Sequence, residues 1–162
     1  MAAVDYFLKI TGIPGESKDE THKDEIQLES WSFGETNHGT HGAGGGGGAG
    51  KVVMQDFHFV MYVNKASPKL FLACAKGTHI DNAVLTCRKA GDKQQEYLQY
   101  TFTDMLISSW QVGGSGGSSV LPTEQISFNF TKVEVAYKEQ DAKGALGGAI
   151  KAHYDLKIQK GG

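Results

Sequence analysis

The sequence predicts a mainly β fold: an antiparallel β-barrel, built as two packed sheets, with one short flanking α-helix. Seven stretches alternate apolar and polar side chains with the two-residue period of a β-strand. Several of these stretches change phase partway, as strands do where they bend at the corners of a barrel. At 162 residues the chain suits a single domain, residues 1–162. The seven stretches are residues 4–10, 25–33, 51–63, 83–90, 96–112, 125–138 and 149–158.

The second predicted strand changes phase, and the third has one apolar face. In the second strand Ile26 and Leu28 fall on one face, and Trp31 and Phe33 fall on the other. Such a switch predicts a bulge or a strand that is buried on both sides. The apolar face of the third strand consists of Phe57, Phe59, Met61 and Val63.

One segment has the signals of a helix. Ser67 suits the N-cap, Pro68 the first helical position and Gly77 the C-terminal stop. We expect this helix to cover one end or edge of the sheet. Its predicted apolar stripe is Leu70, Phe71, Cys74 and Ala75.

The strands of the second half are long and irregular. The alternation of residues 96–112 breaks near Asp104, and that of residues 125–138 changes phase after Thr131. The last strand is predicted to have one apolar face, made of Ile150, Ala152, Tyr154, Leu156 and Ile158. No role is assigned to residues 139–148.

Two predicted strands have polar faces without charge. Ordinary solvent-facing surfaces usually carry Lys and Glu, so a row of uncharged hydrogen-bonding groups suits a surface that meets other chains without gripping them. A plain solvent face is the alternative interpretation. The two rows are Gln99, Thr101 and Thr103, and Gln125, Ser127, Asn129 and Thr131.

Composition and termini exclude several classes of function. The net charge of −2 argues against a dedicated nucleic-acid-binding protein. No segment approaches the ~20 apolar residues of a membrane span, so membrane insertion is not expected. Residues 1–6 lack the basic and apolar regions of a secretory signal, which indicates synthesis in the cytoplasm. Export by a route that reads no N-terminal signal stays open.

The glycine run 42–50 imitates a phosphate-binding loop. The spacing from Gly45 to Lys51 matches the start of that motif, but Val52 stands where a Ser or Thr hydroxyl must reach magnesium. The following residues predict a strand rather than the helix whose N-terminus would bind phosphate. We therefore expect no nucleotide. Ordering so many glycines is costly, so the run is either a mobile connector or a loop that orders against a neighbouring subunit.

The sequence predicts no enzyme, no metal and no cofactor. His38 and His41 have a His-x-x-His spacing but no clear third ligand. Cys74 and Cys87 are interpreted as ordinary thiols of a cytosolic chain. The charged run 16–25 has no apolar face and is interpreted as a solvated loop.

Five short segments occur in an order that resembles the haemolysin-coregulated protein (Hcp) family, the tube subunit of bacterial type VI secretion. The similarity extends from Val4 to about Tyr137. Relatives often have Trp where Phe33 stands here. The segments are Gly15–Asp19, Trp31–Gly34, Gly44–Lys51, Arg88–Gly91 and Gly113–Gly117.

The resemblance implies a barrel that assembles into a homohexameric ring. Rings stack into a tube inside a contractile sheath beneath a spike protein of the valine-glycine repeat type, and the tube is expelled into target cells. The ring lumen holds small effector proteins, for which Ser32 is a candidate contact. Candidate subunit and ring contacts are Glu16, Ser17, Lys18, Asp19, Gly44, Gly45, Gly46, Gly47, Gly48 and Lys51.

A monomeric β-barrel that binds a small ligand is the alternative function. In that case the glycine run would be a lid over a pocket among Trp31, Phe57 and Tyr100.

Overall fold

The computed structural model describes residues 4–39, 50–89 and 95–162. Within these ranges the chain forms eleven strands and one helix. The elements are β1 (Val4–Ile10), β2 (Ile26–Gln27), β3 (Ser30–Ser32), β4 (Glu35–Asn37), β5 (Val52–Met54), β6 (Phe57–Tyr62), α1 (Ser67–Lys76), β7 (His79–Lys89), β8 (Gln95–Gly113), β9 (Thr123–Gln140), β10 (Leu146–Asp155) and β11 (Lys160–Gly161).

Nine strands form one antiparallel sheet, and β4 and β5 form a separate two-stranded sheet. The main path of the large sheet is β11-β10-β9-β8-β7-β1-β2. Strand β9 is long enough to pair with β6 along its first half and with β10 along its second half. Strand β3 then pairs with β6. The predicted mainly β fold is confirmed, although the sheet is not closed into a continuous barrel in the described ranges.

The predicted phase switch in residues 25–33 is a change of strand partner. Leu28 donates its backbone N–H to the Tyr6 carbonyl at 2.9 Å, whereas Glu29 donates to the Val60 carbonyl at 2.8 Å. One short segment therefore joins β1 at one end of the sheet to β6 at the other. The expected third strand is likewise two strands, β5 and β6, which belong to different sheets.

The two irregularities of the long strands lie opposite each other. Asp104 has a positive φ of 61°, and the Thr131 hydroxyl donates to its carboxylate at 3.2 Å. The same carboxylate pairs with His79 at 2.7 Å and with Lys157 at 2.9 Å, and the hydrogen bond from Lys157 lowers its pKa. Phe102 and Met105, three residues apart, both face the core across this bend.

The helix begins one residue earlier than its predicted cap implied. Ala66 is the N-cap, and the Ser67 hydroxyl instead accepts the backbone N–H of Asn64 at 3.0 Å. Gly77 ends the helix with a φ of 63°, as predicted. Leu70 is buried in the predicted stripe, but Phe71 is 51% exposed, and Cys74 and Ala75 are not buried either.

A phenylalanine cluster forms the centre of the core. Phe57, Phe59, Phe102 and Phe128 are fully buried, and Phe57 lies 4.9 Å from Phe128 and 5.0 Å from Phe102 between ring centroids.

The last predicted strand, which corresponds to β10, departs from expectation. It ends at Asp155, and its predicted apolar face is open, with Ile150 69% and Ile158 63% exposed.

Candidate subunit-contact and lumen surfaces

The charged run 16–25 is a loop with six exposed residues, as predicted, but its other four residues are buried or half-buried and it is not merely solvated. Its centre is an ion pair in which the Arg88 guanidinium donates from Nη1 to Asp19 Oδ1 at 3.0 Å and from Nη2 to Asp19 Oδ2 at 2.7 Å. Arg88 lies on β7, 69 residues away from Asp19 in the sequence. A two-pronged pair of this kind fixes orientation as well as distance, and it fastens the loop to the large sheet.

Arg88 is itself buried, with 4% of its side chain exposed. It also donates to Asp5 at 3.4 Å, and its guanidinium lies 4.8 Å from the centre of the Phe7 ring. Within the described part of the chain its Nε has no hydrogen-bond partner. The hydrogen bonds from Arg88 lower the pKa of Asp19 to about 2, and those same bonds raise the pKa of Arg88.

Ser17 also contributes to the packing of its own subunit. It is 6% exposed, its backbone N–H donates to the Glu25 carbonyl at 3.0 Å, and its own carbonyl accepts from Asp24 at 2.9 Å. Gly15 is required at the loop entrance because an added Cβ would meet the Glu25 carbonyl oxygen at 2.5 Å. Of the four candidate contact residues in this loop, Ser17 and Asp19 therefore act within the subunit.

Glu16 and Lys18 are exposed and line a surface groove of about 500 Å³. Tyr62, Asn64 and Leu121 also line this groove. The side chains of Glu16 and Lys18 are accessible to another molecule, so these two residues of the loop stay candidate subunit contacts.

The other candidate contacts are mostly outside the described residues. The candidate glycines fall between β4 and β5 in the sequence and lie outside the described residues. They are Gly44, Gly45, Gly46, Gly47 and Gly48. Lys51 is described and exposed, and it is followed directly by β5. The strand that the sequence predicted after Lys51 is thus present where a phosphate-binding loop needs a helix.

Ser32 lies in an uncharged row that crosses four neighbouring strands. Ser32 pairs with His58, His58 with Ser127, and Ser127 with Ser109. The His58 Nδ1 and the Ser127 hydroxyl are 3.0 Å apart and share a hydrogen bond. Along β3, β6 and β9, the residues directly before and after this row face the core. Because side chains alternate between the two faces of a sheet, the row itself points away from the core. The next row along the same four strands is Ser30, Val60, Gln125 and Gln111.

The predicted uncharged row Gln99, Thr101 and Thr103 on β8 does not form a comparable surface. Thr101 lies opposite Glu134, and Thr103 lies opposite Lys132. Charged partners on β9 therefore interrupt the row that the sequence of β8 alone suggested. The Ser32 row has a charged neighbour in Asp56, two residues before His58. The carboxylate of Asp56 accepts a hydrogen bond from the Ser108 hydroxyl.

The pocket that the alternative function required is filled by aromatic rings. Trp31 lies 5.9 Å from Phe57 and 5.6 Å from Tyr100 between ring centroids. An apolar groove of about 440 Å³ lies beside them, lined by Phe33, Tyr100 and Tyr154 among others.

Among the described residues, no group of three or more His, Cys, Asp and Glu side chains could hold a metal ion. His38 is exposed, and His41 lies outside those ranges. Both cysteines are free thiols, and burial raises the pKa of Cys87 to about 12.

Sequence reasoning missed two buried polar groups. His22 is 6% exposed and contacts two carboxylates, and Glu124 is 1% exposed and accepts a hydrogen bond from the Trp110 indole at 3.0 Å. Arg88, the one arginine of the sequence, follows the largely apolar stretch Ala83–Cys87 and was the available signal of a buried ion pair. A buried arginine needs a carboxylate partner.

Known proteins of similar sequence and structure are type VI secretion proteins. Residues 7–137 match the family model described as type VI secretion system effector, Hcp. The chain is 47% identical over 157 residues to the protein hcp1 of Pseudomonas aeruginosa, covering 96% of each chain. The crystal structure of Hcp1 from Salmonella typhimurium has a TM-score of 0.80 and 37% identity, covering 99% of each chain. A structure of a type six secretion system protein has a TM-score of 0.93 and 30% identity, covering 99% of this chain and 100% of that one.

The fold and its surfaces define a mainly β protein in which four strands of the large sheet expose an uncharged row through Ser32. The chain belongs to the Hcp family of type VI secretion proteins, which confirms the resemblance seen in the sequence. No helix among the described residues is long and apolar enough to cross a membrane.

Proposed function

We propose that this chain is a non-enzymatic tube subunit of type VI secretion that assembles into stacked homohexameric rings. The rings are expelled through the apparatus and hold small effector proteins in their lumen. The sheath proteins and a spike protein of the valine-glycine repeat type are the other proposed partners. Membership of the Hcp family supports this proposal, and two features of the chain agree with it.

The observation that carries the proposal is the uncharged row through Ser32. Four strands side by side present hydroxyl, imidazole and amide groups on a face opposite the core. A surface without fixed charge suits a passage through which different proteins slide, because charged side chains would bind oppositely charged cargo and repel the rest.

The second feature is an unpaired sheet margin. In the described part of the chain, β11 pairs only with Tyr154 and Asp155, so β10 from Leu146 to Ala152 has a strand partner on the β9 side alone. Exposed margins of this length are an association hazard unless another surface covers them. Identical subunits joined head to tail cover such margins when they close into a ring.

Electron microscopy combined with cysteine labelling tests the proposal. Purified protein should appear as annular particles with a central hole. In a Cys74→Ser background, Ser32→Cys should react readily with a small maleimide but slowly with a large polyethylene-glycol maleimide, because the lumen restricts access. Thr36→Cys, on the exposed strand β4, is the matched control.

Equal access of the large reagent to both cysteines in intact rings would place Ser32 outside the lumen. Monomeric particles at high concentration would contradict the tube subunit itself.

A further inference from the structure

Helix α1 has a second apolar stripe on the side that is turned away from the core. Its residues are exposed and have the i, i+3, i+4, i+7 spacing that places side chains on one face of a helix. The two large ones, Phe71 and Leu72, are each about half exposed. An apolar stripe of this kind is normally covered by another element. The stripe consists of Pro68, Phe71, Leu72 and Ala75.

The apolar groove of about 440 Å³ is the second surface, and it lies between the two-stranded sheet and strands β8, β9 and β10. On the strand side Tyr100, Val135 and Ala152 lie opposite one another across the three strands. On the other side the groove is lined by Phe33 and Met54. These five side chains are half-buried or exposed, so the described residues cover the groove only in part.

The apolar face of the three strands continues beyond the groove. Side chains two residues apart share one face of a strand, so the next row lies on the same side as the groove. This side is the core side of the sheet, because Phe102 and Val133 are buried in the row before it. Tyr137 and Ile150 in the next row are exposed. That row is Leu98, Tyr137 and Ile150.

The charges beside the two surfaces are opposite. Helix α1 contains two lysines, Lys69 and Lys76, both exposed, and no acidic residue. Glu35 is the only Asp, Glu, Lys or Arg among the described residues that line the groove. The sequence 40–49, which follows β4, contains none of these four residue types. Opposite charges beside an apolar contact favour one orientation of the partners.

We propose that the outer stripe of α1 in one copy of the chain packs into the groove between the two-stranded sheet and strands β8 to β10 of the next copy. The stripe does not fill the groove of its own chain, because Leu70 fixes the opposite side of α1 in the core and no residue of α1 lines the groove. A helix packed on an apolar sheet face is a common arrangement of two layers.

The contact deepens the proposed function and rests on it. Stripe and groove are different surfaces of one chain, so the contact repeats head to tail, as closure of a ring requires. Ala152 belongs both to the groove and to the margin of β10 that lacks a strand partner on one side. The helix of the neighbouring copy would therefore cover the apolar face next to that margin.

Cross-linking between engineered cysteines tests the contact on the full chain. In a Cys74→Ser background, the double variant Leu72→Cys, Ala152→Cys is treated with a short bismaleimide. Cys87 is buried and does not take part. On a denaturing gel we expect a ladder of covalent species up to six chains, because each copy links to the next. Variants with only one of the two new cysteines should lose the ladder.

Lys151→Cys in place of Ala152→Cys is the matched control. Lys151 is exposed like its neighbour Ala152, but its side chain lies on the opposite face of β10. The pair Leu72→Cys, Lys151→Cys should therefore lose the ladder in particles of unchanged mass.

A charge placed in the stripe gives a second measurement. Leu72→Glu should lower the particle mass measured by light scattering to that of the 17.4 kDa chain, because it would bring a carboxylate into an apolar groove beside Glu35. Leu72 is exposed in the single chain, so circular dichroism should show an unchanged fold. Val53→Glu is the control. Val53 is equally exposed but alternates with Met54, which lines the groove, and the variant should keep the full mass.

The outcomes separate this contact from the proposed function. Particles of full mass in which the Leu72, Ala152 pair gives no more ladder than the Leu72, Lys151 pair would overturn the contact and leave the tube subunit standing. Full mass retained by Leu72→Glu would do the same. A chain that is monomeric without any substitution would contradict both proposals.

Discussion

The substitution Asp19→Asn removes one charge from a buried pair while keeping the shape of the side chain. The hydrogen bonds from Arg88 hold the pKa of Asp19 at about 2 instead of 3.8. Each unit by which folding lowers the pKa corresponds to about 1.4 kcal/mol of stability. With allowance for the 18% of the side chain that is exposed, we expect Asp19→Asn to reduce the free energy of unfolding by about 2 kcal/mol at neutral pH.

The sign of the pH dependence follows from the lowered pKa. A carboxylate with a depressed pKa stabilises the fold above its unfolded-state value, and this stability is lost as pH falls through its folded-state value. The difference in free energy of unfolding between the unchanged protein and Asp19→Asn should therefore be at its full size above about pH 4. It should shrink toward zero near pH 2. Urea unfolding followed by circular dichroism measures it, at equal protein concentration because assembly adds concentration-dependent stability.

Asp24→Asn is the matched control in the same loop. Asp24 is 52% exposed and pairs with Lys65 at 3.7 Å, a surface ion pair expected to contribute less than about 1 kcal/mol. Asn also tolerates the positive φ of 61° at this position. The reasoning is refuted if Asp19→Asn is no more destabilising than Asp24→Asn at neutral pH, or if its effect does not shrink in acid.

Three further predictions concern packing and thiol chemistry. Gly15→Ala should lower stability by about 1–3 kcal/mol in urea unfolding, because its new methyl group would meet a backbone carbonyl oxygen at 2.5 Å. Trp110→Phe should cost about 1–3 kcal/mol by the same assay, because it leaves the buried carboxylate of Glu124 without its indole donor. Burial raises the pKa of Cys87 to about 12, so at mildly alkaline pH a coloured disulfide reagent should modify the half-buried Cys74 first and leave Cys87 unreacted until the protein unfolds.

Each of these predictions has an opposing outcome. Gly113→Ala, where an added Cβ has no neighbour within 4 Å, should change stability little, and an equal loss in both glycine variants would remove the clash as the cause. A Trp110→Phe variant of unchanged stability would mean that the carboxylate of Glu124 does not depend on the indole. Equal reaction rates of the two thiols in the folded protein would contradict the burial of Cys87.

Local patterns in the sequence predicted the strands well, because a strand's alternation is set by its own residues. The phase breaks near Asp104 and after Thr131 were visible in sequence, and they form one bend where β8 and β9 face each other. The split of residues 51–63 into two strands was not predicted. The less exposed side chains change from even-numbered positions in β5 to odd-numbered positions in β6, and the two strands belong to different sheets.

The polar interior was not predictable in the same way. Asp19 and Arg88 are 69 residues apart, and His22 and Glu96 are 74 apart, so no local pattern joins them. A mixed charged run normally indicates a solvated loop. That rule holds for the exposed residues of this run but not for Ser17 and His22, which are buried. For Ser32 the strand position was expected, but the uncharged row around it requires the cross-strand register.

The particle mass in solution tests the central claim most directly. Light scattering coupled to size-exclusion chromatography should give about 104 kDa, six times the 17.4 kDa chain, or a multiple of that mass where rings stack. A mass of 17.4 kDa that persists at high micromolar concentration would contradict the proposal that copies of this chain cover one another's sheet margins in a ring.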